Sequence, residues 1–288
     1  MDFDLLGGKA MDKVILVTGC SSGIGRHLVT ALAQAGYRVA ASARRPESLA
    51  DLPAAMTLPL DVTALEGASE AVDAVRRRLG RLDGVVNNAG LACRGVLEEL
   101  SEEALRHIFE VNVFGPLRLC RAALPFFREQ GSGIIVNVGS IASRMVIPVN
   151  GAYSATKAAL EAFTDALRME VAPFGVRVVL IKPGNIRTSF AEAAAERSRK
   201  TLENPRSPYR EIYRRYLAEA TKARRHDPGP EVVAEAVLKA LESPSPRAHY
   251  TVAAPWRFRL LMALGGNGRN TILGHVFRGR DAPPRKPS

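Results

Sequence analysis

Short apolar runs alternate with longer amphipathic stretches along most of this chain. Seven runs read as strands: KVILVT (13–18), YRVAASA (37–43), MTLPL (56–60), DGVVNN (83–88), GIIVNVG (133–139), VRVVLIK (176–182) and HYTVA (249–253). Most are rich in valine and isoleucine and apolar on both faces, as strands covered from two sides must be. Between them, apolar positions recur at helical spacing near 23–35, 66–79, 102–121, 153–173 and 230–242. This alternation predicts one doubly wound α/β domain over residues 1–253, with a seven-stranded, mainly parallel sheet and helices on both faces. PFG at 173–175 predicts the stop of the helix that begins near 153.

One segment breaks the rhythm. Between the sixth strand and the helix near 230 lie roughly 45 residues, too many for a simple connection. Within it, YREIYRRYLAEA sets Tyr209, Ile212, Tyr213, Tyr216, Leu217 and Ala220 on one helical face, with Arg210, Arg214 and Arg215 opposite. A helix packed on the core is one reading. Because open α/β sheets bind ligands beyond the C-terminal ends of their strands, an aromatic-faced substrate lid over about 186–228 is the preferred one.

With 288 residues, 47% of them hydrophobic, the chain can bury one large core. Cys20, Cys93 and Cys120 are too few and too scattered for a disulfide framework. No spacing suggests a metal site, so a reducing, cytoplasmic location is expected. The acidic start and the absence of a long apolar run give no sign of a signal peptide or a spanning helix. The net charge of +11 is unevenly spread: residues 1–196 hold 21 basic and 21 acidic residues, residues 197–288 hold 19 and 8. The excess is therefore C-terminal, which argues against nucleic-acid binding by the main domain. It leaves a solvated face, an acidic partner or an anionic membrane surface as readings of the basic part. PWRFRLLMALGG (255–266) reads as a short amphipathic helix, packed on the core or on another subunit, or in peripheral membrane contact. Residues 254–288 form a basic extension whose tail reads as disordered.

Candidate chemistry begins at VTGCSSGIGRHL (17–28), between the first strand and a helix. Gly19, Gly23 and Gly25, interleaved with Ser21, Ser22 and Ile24, would let a pyrophosphate approach the backbone and the helix N-terminus, as in a Rossmann-type domain. The second strand ends ASARR, so Ala43 stands where an acidic residue would hold the ribose hydroxyls of NAD. Arg44 and Arg45 follow, and guanidinium groups suit a 2′-phosphate, so NADP(H) is the expected cofactor. In GAYSATKAAL (151–160), Tyr153 and Lys157 are one helical turn apart, so the ammonium can approach the phenol oxygen. A nearby positive charge lowers a tyrosine pKa from about 10 and makes it a usable acid and base.

Together these motifs resemble the short-chain dehydrogenase/reductase family over roughly residues 13–253. TGCSSGIG (18–25), LDV (60–62), NNAG (87–90), VNVFG (111–115), NVGS (137–140), YSATK (153–157) and PGNIRT (183–188) come in that family's order. The nearer resemblance is to its branch of 17β-hydroxysteroid and retinol dehydrogenases. It implies that Asp61 and Val62 flank the adenine, and that Asn87, Ala89 and Gly90 line the cofactor and support the sheet. Pro183, Gly184, Ile186 and Thr188 would meet the nicotinamide end. Tyr153 would exchange a proton with the substrate oxygen and Ser140 would polarise it. Lys157 would hold the nicotinamide ribose, and Asn112 would hold a water linking Lys157 to solvent. The expected enzyme moves hydride between NADP(H) and a hydrophobic alcohol/carbonyl pair of steroid, retinoid or long-chain type, as a homodimer or homotetramer. A reductase of 3-oxoacyl chains on an acidic carrier protein is the alternative enzyme. A sensor or scaffold that binds NADP(H) without turnover is the alternative of another class, and the intact Ser–Tyr–Lys set speaks against it.

Overall fold

The computed structural model describes residues 12–223 and 227–255, with Phe258, Leu261 and Ile272 beyond them. Strand β1 (Val14–Val17) runs into helix α1 (Gly23–Gln34), and β2 (Arg38–Ala43) and β3 (Met56–Pro59) follow. Helix α2 (Gly67–Leu79) leads to β4 (Gly84–Asn87). Then come α3 (Glu102–Phe109), a π turn (Glu110–Phe114), α4 (Gly115–Glu129) and β5 (Gly133–Val138). The long α5 (Gly151–Val171) precedes β6 (Val176–Pro183). Three helices, α6 (Phe190–Arg197), α7 (Arg199–Leu202) and α8 (Arg210–Ala223), fill the extended connection before α9 (Glu231–Glu242) and β7 (His249–Val252).

The strands form one sheet in the order β3-β2-β1-β4-β5-β6-β7, and every pairing is parallel. "Mainly parallel" thus becomes wholly parallel. The order reverses at β1, which has β2 on one side and β4 on the other, so a crevice opens beyond its C-terminal end.

Alternation along β1 explains the two cores. Ile15 and Val17 join Leu28, Val29 and Leu32 of α1 and Val237 and Leu241 of α9 on one face. Val14 and Leu16 join Val72 and Val75 of α2 and Leu119 and Phe127 of α4 on the other. Each such side chain, fully buried, contributes roughly 1.5–3 kcal/mol.

Two helix boundaries differ from the sequence pattern. The helix expected over 102–121 is two helices separated by the π turn, and the second runs on to Glu129 through Pro125. Buried Phe127 anchors that last turn, so packing outweighs the proline. The 153–173 helix starts at Gly151, ends at Val171 and is closed by Gly175 at φ 73°. No helix among the described residues is long and apolar enough to cross a membrane. The expectations for the helix at 255–266 and the tail lie outside the described residues, apart from buried Phe258, half-buried Leu261 and exposed Ile272.

Candidate active site

The glycine turn sits at the mouth of the crevice. Gly19 has φ +72°, and a Cβ there would lie 2.8 Å from Ala89 Cα; a Cβ on Gly25 would lie 2.2 Å from Gly19 O. Both positions therefore admit only glycine, and the backbone stays bare. Ser21 and Ser22 are exposed and Ile24 packs on the core. Ser22 caps α1 with extended backbone but no side-chain bond, and the first turn holds no acidic residue, which leaves its N–H groups open to an anion. Thr188 lies across the turn, its Cβ 3.3 Å from where a Gly23 Cβ would be.

The turn is locked to the NNAG segment by residues outside the predicted set. Thr18 Oγ1 accepts from Asn88 N (3.1 Å) and Ala89 N (3.0 Å), and Asn88 Nδ2 donates to Thr18 O (2.8 Å) and Gly19 O (3.2 Å). Asn87 itself points into the sheet, donating to Asn137 Oδ1 at 2.8 Å, while Asn137 donates to Thr164 Oγ1 at 2.9 Å. Its side chain supports the sheet; any contact of Asn87 with a cofactor falls to its backbone. Arg44 is exposed at the end of β2, close enough to Asp61 to help lower its carboxyl pKa after the leading hydrogen bond from Thr63 N. Val62 packs against Gly115, where a Cβ would meet it at 2.9 Å. Pro183 is buried, Gly184 N donates to Val252 O at 2.8 Å, and Ile186 packs on the core. These residues lie at the C-terminal ends of β1, β2, β3, β4 and β6, where the bare glycine backbone and the open N–H groups of α1 fit a phosphate-bearing cofactor.

Ser140, Tyr153 and Lys157 come together where β5 ends and α5 begins. Ser140 Oγ accepts from Ala142 N at 3.1 Å and donates to Pro183 O at a long 3.5 Å. Burial pushes the Tyr153 phenol up from its ordinary value, against the Arg94 guanidinium and a hydrogen bond from Ser140, which both pull it down. Lys157 Nζ donates to Val138 O at 2.8 Å and lies 5.8 Å from the Tyr153 ring centroid, while burial lowers its pKa to about 8. Arg94 is a second cation beside Tyr153, its guanidinium carbon 5.4 Å from the ring centroid, while the Lys157 ammonium is bonded to the end of β5.

Asn112 is fully buried in the π turn. Its Oδ1 accepts from Leu91 N (2.9 Å), and its amide protons go to Leu91 O (2.8 Å) and Thr156 Oγ1 (3.0 Å). Both amide protons are thus committed, and the side chain ties the loop after β4 to α5. One turn beyond Lys157, buried Glu161 accepts from Ser143 Oγ (2.6 Å), Arg144 Nε (2.9 Å) and Lys182 Nζ (3.4 Å). Glu161, Asp165 and His249 stand close enough to share an ion, but Arg144, Lys182 and Arg168 already neutralise these carboxylates.

The tyrosine stripe of α8 faces inward, with Leu217 left exposed and Ala220 outside the described side chains. Tyr213 is 1% exposed among Val96, Val149 and Leu202; its hydroxyl donates to Glu99 and accepts from Val96 N at 3.1 Å. Tyr209 donates to Glu98. Over the crevice itself, Phe190 at the start of α6 sets its ring 6.0 Å from that of Tyr153.

A family model described as short chain dehydrogenase matches residues 13–199. The chain belongs to that family and is an oxidoreductase. Among curated relatives of this dehydrogenase, human 17-beta-hydroxysteroid dehydrogenase type 1 is 37% identical, covering 82% of this chain and 76% of the relative. The 3-ketodihydrosphingosine reductase of Bacteroides thetaiotaomicron is 33% identical, covering 81% and 85%. A short chain dehydrogenase from Burkholderia cenocepacia, solved in complex with NADP, superposes with TM-score 0.72 at 29% identity, covering 92% of this chain and 98% of that one. A 3-ketoacyl-(acyl-carrier-protein) reductase from Brucella melitensis, complexed with NADH, gives 0.69 at 25% identity, covering 85% and 98%.

Sequence reasoning missed Thr18, Asn88, Arg94, Glu161 and Phe190. Thr18 and Asn88 stood inside quoted motifs, and Glu161 follows Lys157 by the same four-residue step that singled out the Tyr–Lys pair. Arg94 and Phe190 carried no local signal.

Proposed function

We propose that the protein moves hydride between NADP(H) and a hydrophobic alcohol/carbonyl pair, using Tyr153, Ser140 and Lys157. The observation that carries this reading is the meeting of Ser140 with the Tyr153 phenol, one helical turn from a buried lysine and beside the glycine-lined crevice. When bound, the nicotinamide supplies or takes up the hydride. The glycine turn and the α1 N-terminus hold the pyrophosphate, Asp61 and Val62 flank the adenine, and Thr188 and Gly184 border the nicotinamide end. Arg44 takes the 2′-phosphate, in the place where an acid would repel it.

In reduction, Tyr153 gives its proton to the carbonyl oxygen, and in oxidation it takes one from the hydroxyl. Ser140 donates to the same oxygen; its weak bond to Pro183 O is easily exchanged. Lys157 leaves Val138 O for the ribose hydroxyls, where its charge favours the tyrosinate. Asn112 is a positioning residue that fixes the loop after β4 against α5. Phe190 and Tyr216 supply an apolar wall for the substrate.

Stopped-flow and steady-state reduction of a panel of steroid, retinoid and long-chain ketones tests the assignment. Tyr153→Phe should bind NADPH yet lose at least ~100-fold in kcat; near wild-type turnover in that variant overturns the role of Tyr153. Arg44→Ala should raise KM for NADPH and leave that for NADH unchanged. Equal effects on both cofactors refute the 2′-phosphate assignment.

A further inference from the structure

Arg94 lies in the loop that follows NNAG and is held there by its own backbone. Its N–H donates to buried Ser198 Oγ at 2.8 Å, and the neighbouring Gly95 N–H donates to Val149 O at 3.0 Å. The loop is therefore clamped between the segment entering α5 and the junction of α6 with α7. From this mount the side chain reaches over the reaction centre: the guanidinium carbon is 5.4 Å from the Tyr153 ring centroid and 6.0 Å from that of Tyr216.

Arg94 is half-buried and, among the described residues, forms no salt bridge. Arg197, which like Arg94 lies beside Cys93, donates to Ala92 O at 3.1 Å, and buried Lys157 donates to Val138 O at 2.8 Å. A cation withdrawn from water without a counter-ion is costly, and aromatic faces offset only part of that cost. Placed in a crevice and pointed at the proton-transfer group, such a guanidinium is a receptor for an anion, with the fork that carboxylates fit.

We propose that the substrate is an oxo or hydroxy acid whose carboxylate pairs with Arg94 a few atoms from the reacting carbon, its apolar body lying along Phe190 and Tyr216. This deepens the reading of Tyr153 as the proton-transfer residue and rests on it. Two features of the site agree with it. Arg94 already opposes the rise that burial imposes on the Tyr153 phenol. The same guanidinium would fix the short arm between carboxylate and carbonyl, so the carbonyl oxygen meets Ser140 and Tyr153 in one orientation.

Binding and turnover are measured separately so that the two readings fail separately. Calorimetry on the NADPH-loaded Tyr153→Phe protein compares 3-oxooctanoate with methyl 3-oxooctanoate, which differ in charge and not in the ketone. The acid should bind ~10- to 100-fold more tightly, the effect of one charge-assisted bidentate pair. Adding Arg94→Met should abolish that preference, and Arg94→Lys should keep part of it. Equal affinity for acid and ester, or a preference that survives Arg94→Met, overturns the proposal. With Tyr153 intact, the ratio of kcat/KM for acid over ester should fall by a similar factor in Arg94→Met, chiefly through KM. A general disturbance of the site would change both substrates alike and leave the ratio unmoved, which refutes the pairing. Binding preference without any turnover of either ketone refutes the hydride-transfer reading and leaves the anion site standing.

Discussion

Lys157 offers the sharpest physical test, because its burial must be visible in stability as well as activity. Its pKa falls from 10.5 to about 8 on desolvation, so between those values the unfolded chain binds a proton that the folded chain does not. Stability therefore rises with pH across that window, at ~1.4 kcal/mol for each pH unit, or roughly 3 kcal/mol in all. Below about pH 8 the ammonium is charged in both states and the folded state bears the full desolvation cost. Lys157→Met removes that cost and also the 2.8 Å bond to Val138 O. Charged hydrogen bonds are worth ~1.5–3 kcal/mol, so the two changes nearly cancel at pH 7. The variant should be close to wild type there, yet as much as ~3 kcal/mol less stable at pH 10.5, because it misses the wild-type gain. Urea unfolding of both proteins at intervals from pH 7 to 10.5 measures the difference, in which the shared titrations of tyrosines and cysteines cancel. A gap that is independent of pH, or one that moves in the variant's favour, refutes the desolvation argument.

Two further outcomes follow from burial. Cys20, Cys93 and Cys120 are all buried, and desolvation pushes the Cys20 and Cys120 thiols up to about 12 and that of Cys93 upward as well. Ellman's reagent at pH 8 should therefore find no fast-reacting thiol in the native protein and three in urea; a rapid native reaction would contradict the packing. Tyr213→Phe removes a donor to Glu99 and an acceptor for Val96 N, so it should cost about 2 kcal/mol in urea unfolding, while Tyr209→Phe, on an exposed hydroxyl, should cost well under 1. Equal losses would mean that Tyr213 does not hold α8 to the loop after β4.

The parts of this molecule that could be read from the chain are those whose cause is local. Each strand is an apolar run that needs cover on both faces, and Gly19 and Gly25 mark a turn whose tightness lies within a few residues of sequence. Ser140, Tyr153 and Lys157 were legible because a strand end and one helix carry them. The π turn was not, because its irregularity answers to Asn112 reaching back to Leu91, a tie between elements. The stripe on α8 shows the limit most clearly. Periodicity gave the amphipathic face and the tyrosines on it, but whether that face covers a substrate or a neighbour depends on what lies across from it. Tyr213 meets Glu99, 114 residues earlier, and is spent on packing and hydrogen bonding. Tyr216, one turn position away, instead reaches Arg94. Arg94 looks like any loop arginine until three distant segments converge on it: helix α8 at Tyr216, the α5 helix at Tyr153 and the α6–α7 junction at Ser198. Its lack of a carboxylate partner has no meaning in the sequence, where acidic residues are plentiful. In the fold, among the described residues, it stands over Tyr153 with no carboxylate beside it.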